Sequence, residues 1–269
     1  MTQQWKIGGL ILAFIVIAGL GIAVQRIGQP ATPVVPAFSI PSTTPVTSGT
    51  PATPSKPSGQ GGQSSASLAS STAPSLNRKV SITADLPLDA KQILTKKITD
   101  LQALIAKDYN DYAAWMNLAI SYKMAGDYEG AKQIWIYENT VHPGESISLH
   151  NLGSLYQNEY KNYPVAEDYY LQAMNADVTK SVNYLALFDL YRYNYKQDTT
   201  AAVDILKTGI SRVSGTSVID LYAALALYYE GKGDAASAIT YYTEARDAAK
   251  TAGNTALAAQ FDASIEALK

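Results

Sequence analysis

Two histidines, His142 and His150, and no cysteine are all the chain offers of the side chains that most readily bind metal or act as nucleophile and base. His142 precedes Pro143 in a turn-like stretch, and His150 falls within a helical pattern. Neither an H-E-x-x-H nor any Cys/His spacing gathers further ligands around them, so no metal site is expected. Gly153-Ser154 lacks the context of a nucleophile elbow. With no convergent acid, base and nucleophile, the chain reads as a non-enzyme that needs no cofactor. What it does hold is nineteen tyrosines, all between Tyr109 and Tyr242. Such rings could stack on carbohydrate or peptide, but most recur at fixed helical positions, which marks them as packing. Tyr193 lies off those positions.

The elements behind that recurrence form a repeat. Trp115-x-x-Leu118-Ala119-x-x-Tyr122 returns as Leu149-x-x-Leu152-Gly153-x-x-Tyr156, Tyr184-x-x-Leu187-Phe188-x-x-Tyr191 and Tyr222-x-x-Leu225-Ala226-x-x-Tyr229, the leucines advancing by 34, 35 and 38 residues. A second stripe follows each: Ala131/Trp135, Ala166/Tyr170/Ala173, Ala202/Leu206/Gly209 and Ala238/Tyr242/Ala245. Both stripes put their large residues on one helical face, and the small ones let two antiparallel helices approach closely. Turn signals separate the stripes. Gly126-Asp127 and Gly233-Asp234 combine a left-handed helix end with a capping aspartate, Pro164 can open the second helix of unit two, and Asp198 or Thr199 can cap that of unit three. A fixed period with two helical stripes per unit marks an all-α solenoid.

The pattern resembles the tetratricopeptide repeat (TPR) family. Unit one carries Trp115, Leu118, Ala119, Tyr122, Gly126, Asp127, Ala131, Trp135 and Pro143 at the family's positions, and unit four follows with Tyr222, Leu225, Ala226, Tyr229, Gly233, Asp234, Ala238, Tyr242 and Ala245. Units two and three depart, with one and about two extra residues in their turns. Phe188 replaces a small residue, and Glu138 replaces the last small residue of unit one. The resemblance implies a right-handed superhelical solenoid of about four helix–turn–helix units, at about 112–145, 146–180, 181–216 and 219–252. Amphipathic helices at 87–106 and 254–268 would cap its ends, giving about ten helices and no strand.

The resemblance also implies where partners bind. First helices of successive units line a concave groove in this family, and the groove positions that flank the core stripe include Asn117, His150, Asn151, Asp189, Arg192 and Tyr193. Asn117 and Asn151 occupy a place where peptide-binding members use an amide that donates and accepts at once. Against this, Asn-Leu-Gly is simply common in the repeat, and both readings stand. The lysine and arginine clamp that chaperone-tail binders use is missing, because Met116, Ile120, Val182 and Ala186 stand in its place and Arg192 alone does not rebuild it.

The first 84 residues differ in kind. Ile7 to Val24 is an unbroken run of 18 apolar or glycine residues between Lys6 and Arg26, long enough for a transmembrane helix. That places a signal-anchor at 1–26; a cleavable signal is the alternative, with small residues at Gly21-Ile22-Ala23. Residues 27–84 hold nine of the twelve prolines and no acid, the composition of a disordered tether. Positive charges around the span are nearly balanced, and the tether tips the choice toward an extracytoplasmic repeat domain over 85–269. From Asp85 onward there are 23 acidic and 16 basic residues, which excludes nucleic acid as a partner. The expected function is a membrane-tethered module at a bacterial cell envelope, binding a protein or peptide partner in its groove. The alternatives are an auxiliary subunit of a secretion, pilus or wall-synthesis machine, and a cytoplasm-facing recruitment anchor.

Overall fold

A computed structural model describes residues 73–269. The expected anchor and the greater part of the expected tether lie outside the described residues. Within them the chain forms ten α-helices, one 3-10 turn at Gly215–Ser217 and no strand. The helices are α1 (Leu88–Ile105), α2 (Tyr112–Ala125), α3 (Tyr128–Val141), α4 (Ser146–Asn158), α5 (Tyr163–Ala176), α6 (Ser181–Tyr193), α7 (Ala201–Arg212), α8 (Val218–Gly231), α9 (Ala235–Thr251) and α10 (Thr255–Ala267). Helices α2/α3, α4/α5, α6/α7 and α8/α9 pack as pairs, and each pair contacts the next. First helices also meet directly: α4 touches α6, and α6 touches α8. This is a TPR-like arrangement of helix pairs, flanked by α1 and α10.

Local chemistry sets the boundaries. Asp111 opens α2 by accepting the Ala114 N–H at 2.9 Å, and Gly126 ends it at φ 80°, where a side chain would be strained. Asp127 then caps α3 through the Gly130 N–H. Asp234 and Asn254 cap α9 and α10 in the same way, and Asn162 caps α5 with Pro164 in its first turn. In units two and three the left-handed turn position falls to Lys161 (φ 55°) and Lys196 (φ 59°), not to glycine. The expected cap of α7 is corrected. The helix starts at Ala201, and neither Asp198 nor Thr199 bonds the third helical N–H; Thr199 Oγ1 instead accepts the Ala201 N–H. The longer turn of that unit leaves both residues too far upstream to reach it.

Packing follows the stripes. Leu118, Leu152, Leu187 and Leu225 are all buried, as are the heading alanines Ala131, Ala166, Ala202 and Ala238. At Gly153 a Cβ would lie 2.5 Å from the Tyr170 ring, which explains why this position admits so little volume. Phe188, the exception, is buried and meets the Tyr228 ring edge-on at 6.1 Å. Of the repeat tyrosines, Tyr122, Tyr170, Tyr191 and Tyr242 are buried, each with a polar partner for its hydroxyl: Gln102, Gln157, Glu167 and Glu230. Tyr156 and Tyr229 are only half-buried, stacked on Tyr169 and Tyr241.

The domain boundary moves. Residues 73–84 fall in the expected tether, yet Ala73, Leu76, Val80 and Ile82 pack against the core formed by α1 to α4. The Thr83 and Ala84 N–H groups donate to the Ala125 carbonyl, an orphan acceptor at the end of α2. Arg78 grips Asp127 through two hydrogen bonds, and its guanidinium lies over the Tyr122 ring. Gln102 of α1 ties the same strap down by donating to the Arg78 carbonyl. Alternating apolar residues at Leu76, Val80, Ile82 and Leu86, flanked by one arginine, let a proline- and serine-rich stretch bind where a purely polar one could not.

Candidate interaction face

The six groove positions all lie on first helices: Asn117 on α2, His150 and Asn151 on α4, and Asp189, Arg192 and Tyr193 on α6. Their surroundings differ. Asn117 is exposed, but its Nδ2 donates to the Ala113 carbonyl one turn back, so part of its capacity is spent on its own helix. Asn151 makes no side-chain hydrogen bond with any described residue. Asn151 is half-buried, and neither the donor nor the acceptor of its amide is used within the described residues. Tyr193 is 57% exposed, which confirms that it fills no core space.

His150 serves mainly to join two units. Its Nδ1 lies 3.1 Å from Asn183 Oδ1, and its ring packs 5.4 Å from that of Tyr170. Asn183 donates its own Nδ2 to the Ala173 carbonyl, which leaves Oδ1 facing the imidazole and puts the proton on Nδ1. Burial lowers the His150 pKa, the Asn183 bond raises it, and the nearby Lys123 charge lowers it; the net direction is down. The lowered pKa favours the neutral ring, in which Nε2 is the acceptor. Gln157 plays a similar joining part, donating to Asn194 Oδ1 while accepting from Tyr170. Met116 is buried as well, 3.5 Å from Ser148 Oγ.

Asp189 is exposed, and desolvation by the protein near it raises its pKa while the Arg192 charge on the next turn of the same helix opposes this. It has no hydrogen bond or ion pair with a described residue. Around these polar groups the first helices expose Ile120, Ile147, Val182 and Leu227, at 41% to 51% of their surface. A hollow of about 540 Å³ between α1 and α2 is lined by Ile93, Leu101 and Leu104, by Asn117, and by the charged Lys96, Lys97 and Asp100.

The sequence pattern missed one pair. Glu138 is buried, and its Oε2 lies 2.9 Å from His142 Nδ1, while Oε1 has no protein partner. Burial raises the carboxyl's pKa, and the His142 contact opposes this. Their i, i+4 spacing was the available signal. Two groups do not make a catalytic site, and no cluster of three or more His, Asp or Glu suited to a metal occurs among the described residues.

No family model matches the chain, and a search of curated proteins finds no match. Among solved structures, a crystal structure of MamA is similar, at 20% identity over 62% of this chain and 98% of that one, with a TM-score of 0.44. The repeat architecture stands on the helix pairing described above.

Proposed function

We propose that this chain is a membrane-tethered helical-repeat adaptor, extracytoplasmic at a bacterial cell envelope, that binds an extended peptide or helix of a partner protein along its first helices. The observation that carries this reading is the unspent capacity of that face. Among the described residues Asn151 has no side-chain hydrogen bond and Asp189 no hydrogen bond or ion pair, and the same set of first helices, which meet side by side, exposes Ile147, Val182 and Leu227. An amide reads main chain without reading sequence, and the apolar residues between supply burial. The membrane part rests on the Ile7–Val24 run alone. No helix among the described residues is long and apolar enough to cross a membrane.

A photo-crosslinking residue placed at Asn151 or Val182 of the full chain in cells is expected to trap a partner, and one at Ile136 on α3, exposed much as Val182 is, is not. Crosslinks from position 136 alone would move the partner to the second helices and overturn the reading. Export is tested separately: a reporter active only outside the cytoplasm, fused after Lys269, should be active, and activity of a cytoplasmic reporter would favour the recruitment anchor.

A further inference from the structure

Helix α1 closes one end of the described helix pairs, but its outward face is not that of a cap. Leu94, Ile98 and Ile105 pack into the core, yet on an adjoining face Ile93 is 69% exposed and Leu104 46%. The terminal helix of a solenoid keeps its outer face polar. At the other end α10 does so, leaving no large apolar side chain exposed among its described residues. The exposed tract of α1 runs Ile93, Lys97, Asp100, Leu104, a spacing of four, three and four residues that forms one seam along a helix. Lys96 and Leu101 flank it, and these six side chains line most of the hollow beside α2. Lys97 makes no ion pair with a described residue, whereas Asp100 meets Lys96 of its own helix at 2.6 Å.

The two halves of this seam complement each other. Ile93 with Leu104, Lys96 with Leu101, and Lys97 with Asp100 are all centred on the Ile98–Thr99 bond. A two-fold contact needs that property, because residue i of one copy then meets residue j of the other, and j meets i. We propose that α1 is a homodimer contact, in which two copies of this chain lay their α1 helices antiparallel across a two-fold axis. Ile93 of each copy packs on Leu104 of the other, and Lys97 of each pairs with Asp100 of the other. Every Asp100 carboxylate then lies between two ammonium groups, one from each chain, and the Lys96 stem covers Leu101. A parallel pair would set Lys97 against Lys97 and Asp100 against Asp100, so charge selects the antiparallel one. The one like-charged facing pair, Asp89 with Asp108, falls outside the seam, with Asp108 past the end of α1. An unrelated apolar partner would account for exposed Ile93 and Leu104, but not for the matched charges between them. The seam spans about 16 Å, too little for an obligate interface, so the dimer is a reversible one.

The chain has no cysteine, so introduced ones report the contact directly. Two preparations of the full chain in detergent micelles, one Ile93→Cys and one Leu104→Cys, are oxidised separately and as a mixture. Like positions lie about 16 Å apart along an antiparallel pair, far beyond the reach of a disulfide, while unlike positions face each other. The mixture is expected to form a disulfide-linked dimer, and neither preparation alone. Sedimentation equilibrium of the unsubstituted chain measures the dissociation constant. Lys97→Glu or Asp100→Lys should raise it roughly tenfold, since each change affects two symmetric exposed pairs, and the double exchange should restore most of the loss. All four positions are exposed, and circular dichroism checks that helicity is unchanged. Disulfide dimers within a single variant, a monomer at about 1 mM, self-association indifferent to both charge variants, or a double exchange no better than either single one overturns the contact. The crosslinking positions on α4 and α6 lie outside this seam, so neither result decides the other.

Discussion

Replacing Arg78 with alanine should loosen the N-terminal strap and destabilise the first helix pair, although Arg78 lies in a stretch whose composition looks disordered. The guanidinium bonds both oxygens of Asp127, at 2.6 Å for Nη2, with the two side chains 32% and 15% exposed. Exposed pairs are worth about 0–1 kcal/mol, and truncating one partner of a buried pair costs about 3–5. This half-buried bidentate pair falls between, at about 2 kcal/mol for Arg78→Ala. Asp127→Ala should cost about 3, because it also removes the α3 cap, itself worth about 1. The double variant should then show a coupling of about 1.5–2 kcal/mol in a double-mutant cycle.

Urea unfolding of the full chain, followed by helical circular dichroism, measures all four corners of that cycle. Acid supplies a second check. Burial alone would raise the Asp127 pKa, but the Arg78 hydrogen bonds, the Gly130 N–H and the Arg78 charge outweigh it and hold the carboxyl below its usual range. Its contribution is therefore present above the unfolded-state value near pH ~3.9 and is lost as pH falls through the lower folded value. Wild type and Arg78→Ala should converge there. A loss below about 0.5 kcal/mol would refute Arg78 as a fastening of the strap, and an equal loss in the Asp127→Ala background would refute the Arg78–Asp127 pair as its cause.

A fragment starting at residue 73 should unfold at a higher urea midpoint than one starting at Asp85, which loses Leu76, Val80 and Ile82; equal midpoints would show that strap packing adds nothing. Gly153→Ala should lower stability by about 1–3 kcal/mol despite better helix propensity, because the new Cβ meets the Tyr170 ring at 2.5 Å; a more stable variant in the same assay would contradict that crowding. Glu138→Gln should stabilise the chain by roughly 1 kcal/mol at pH 8. The sign follows from the raised pKa of Glu138: protonation favours the folded state, and that stability is lost as pH rises, so the variant's gain should vanish below pH ~4.3 and a gain persisting there would refute it.

Periodicity made the helix pairs, their caps at Asp127, Asp234 and Asn254, and the flanking helices readable because each depends on residues close together in the chain. The strap escaped because its partners lie 24 and 49 residues away, at Gln102 and Asp127, and nothing in a proline- and serine-rich stretch signals them. The turn of unit three was misread for a similar reason. Its length could be counted, but which residue would enter the left-handed region could not, and Lys196 holds that place while pairing with Glu167 of the preceding unit.

The candidate face was readable as a set of positions and not as a set of roles. His150 and Gln157 flank the core stripe just as Asn151 and Arg192 do, yet the first two are drawn into contacts between units, through Asn183 and Asn194. Which of these flanking positions stays free depends on whether the next helix offers a hydrogen-bonding partner at the same height. Asn183 supplies one for His150, whereas Arg192 lies against rings of α6 and α8 and has no hydrogen bond to a described residue. A polar side chain without a partner costs stability unless solvent or a ligand completes it. Packing between neighbouring units thus selects, from a repeated set of first-helix residues, the few left without a hydrogen-bonding partner among the described residues.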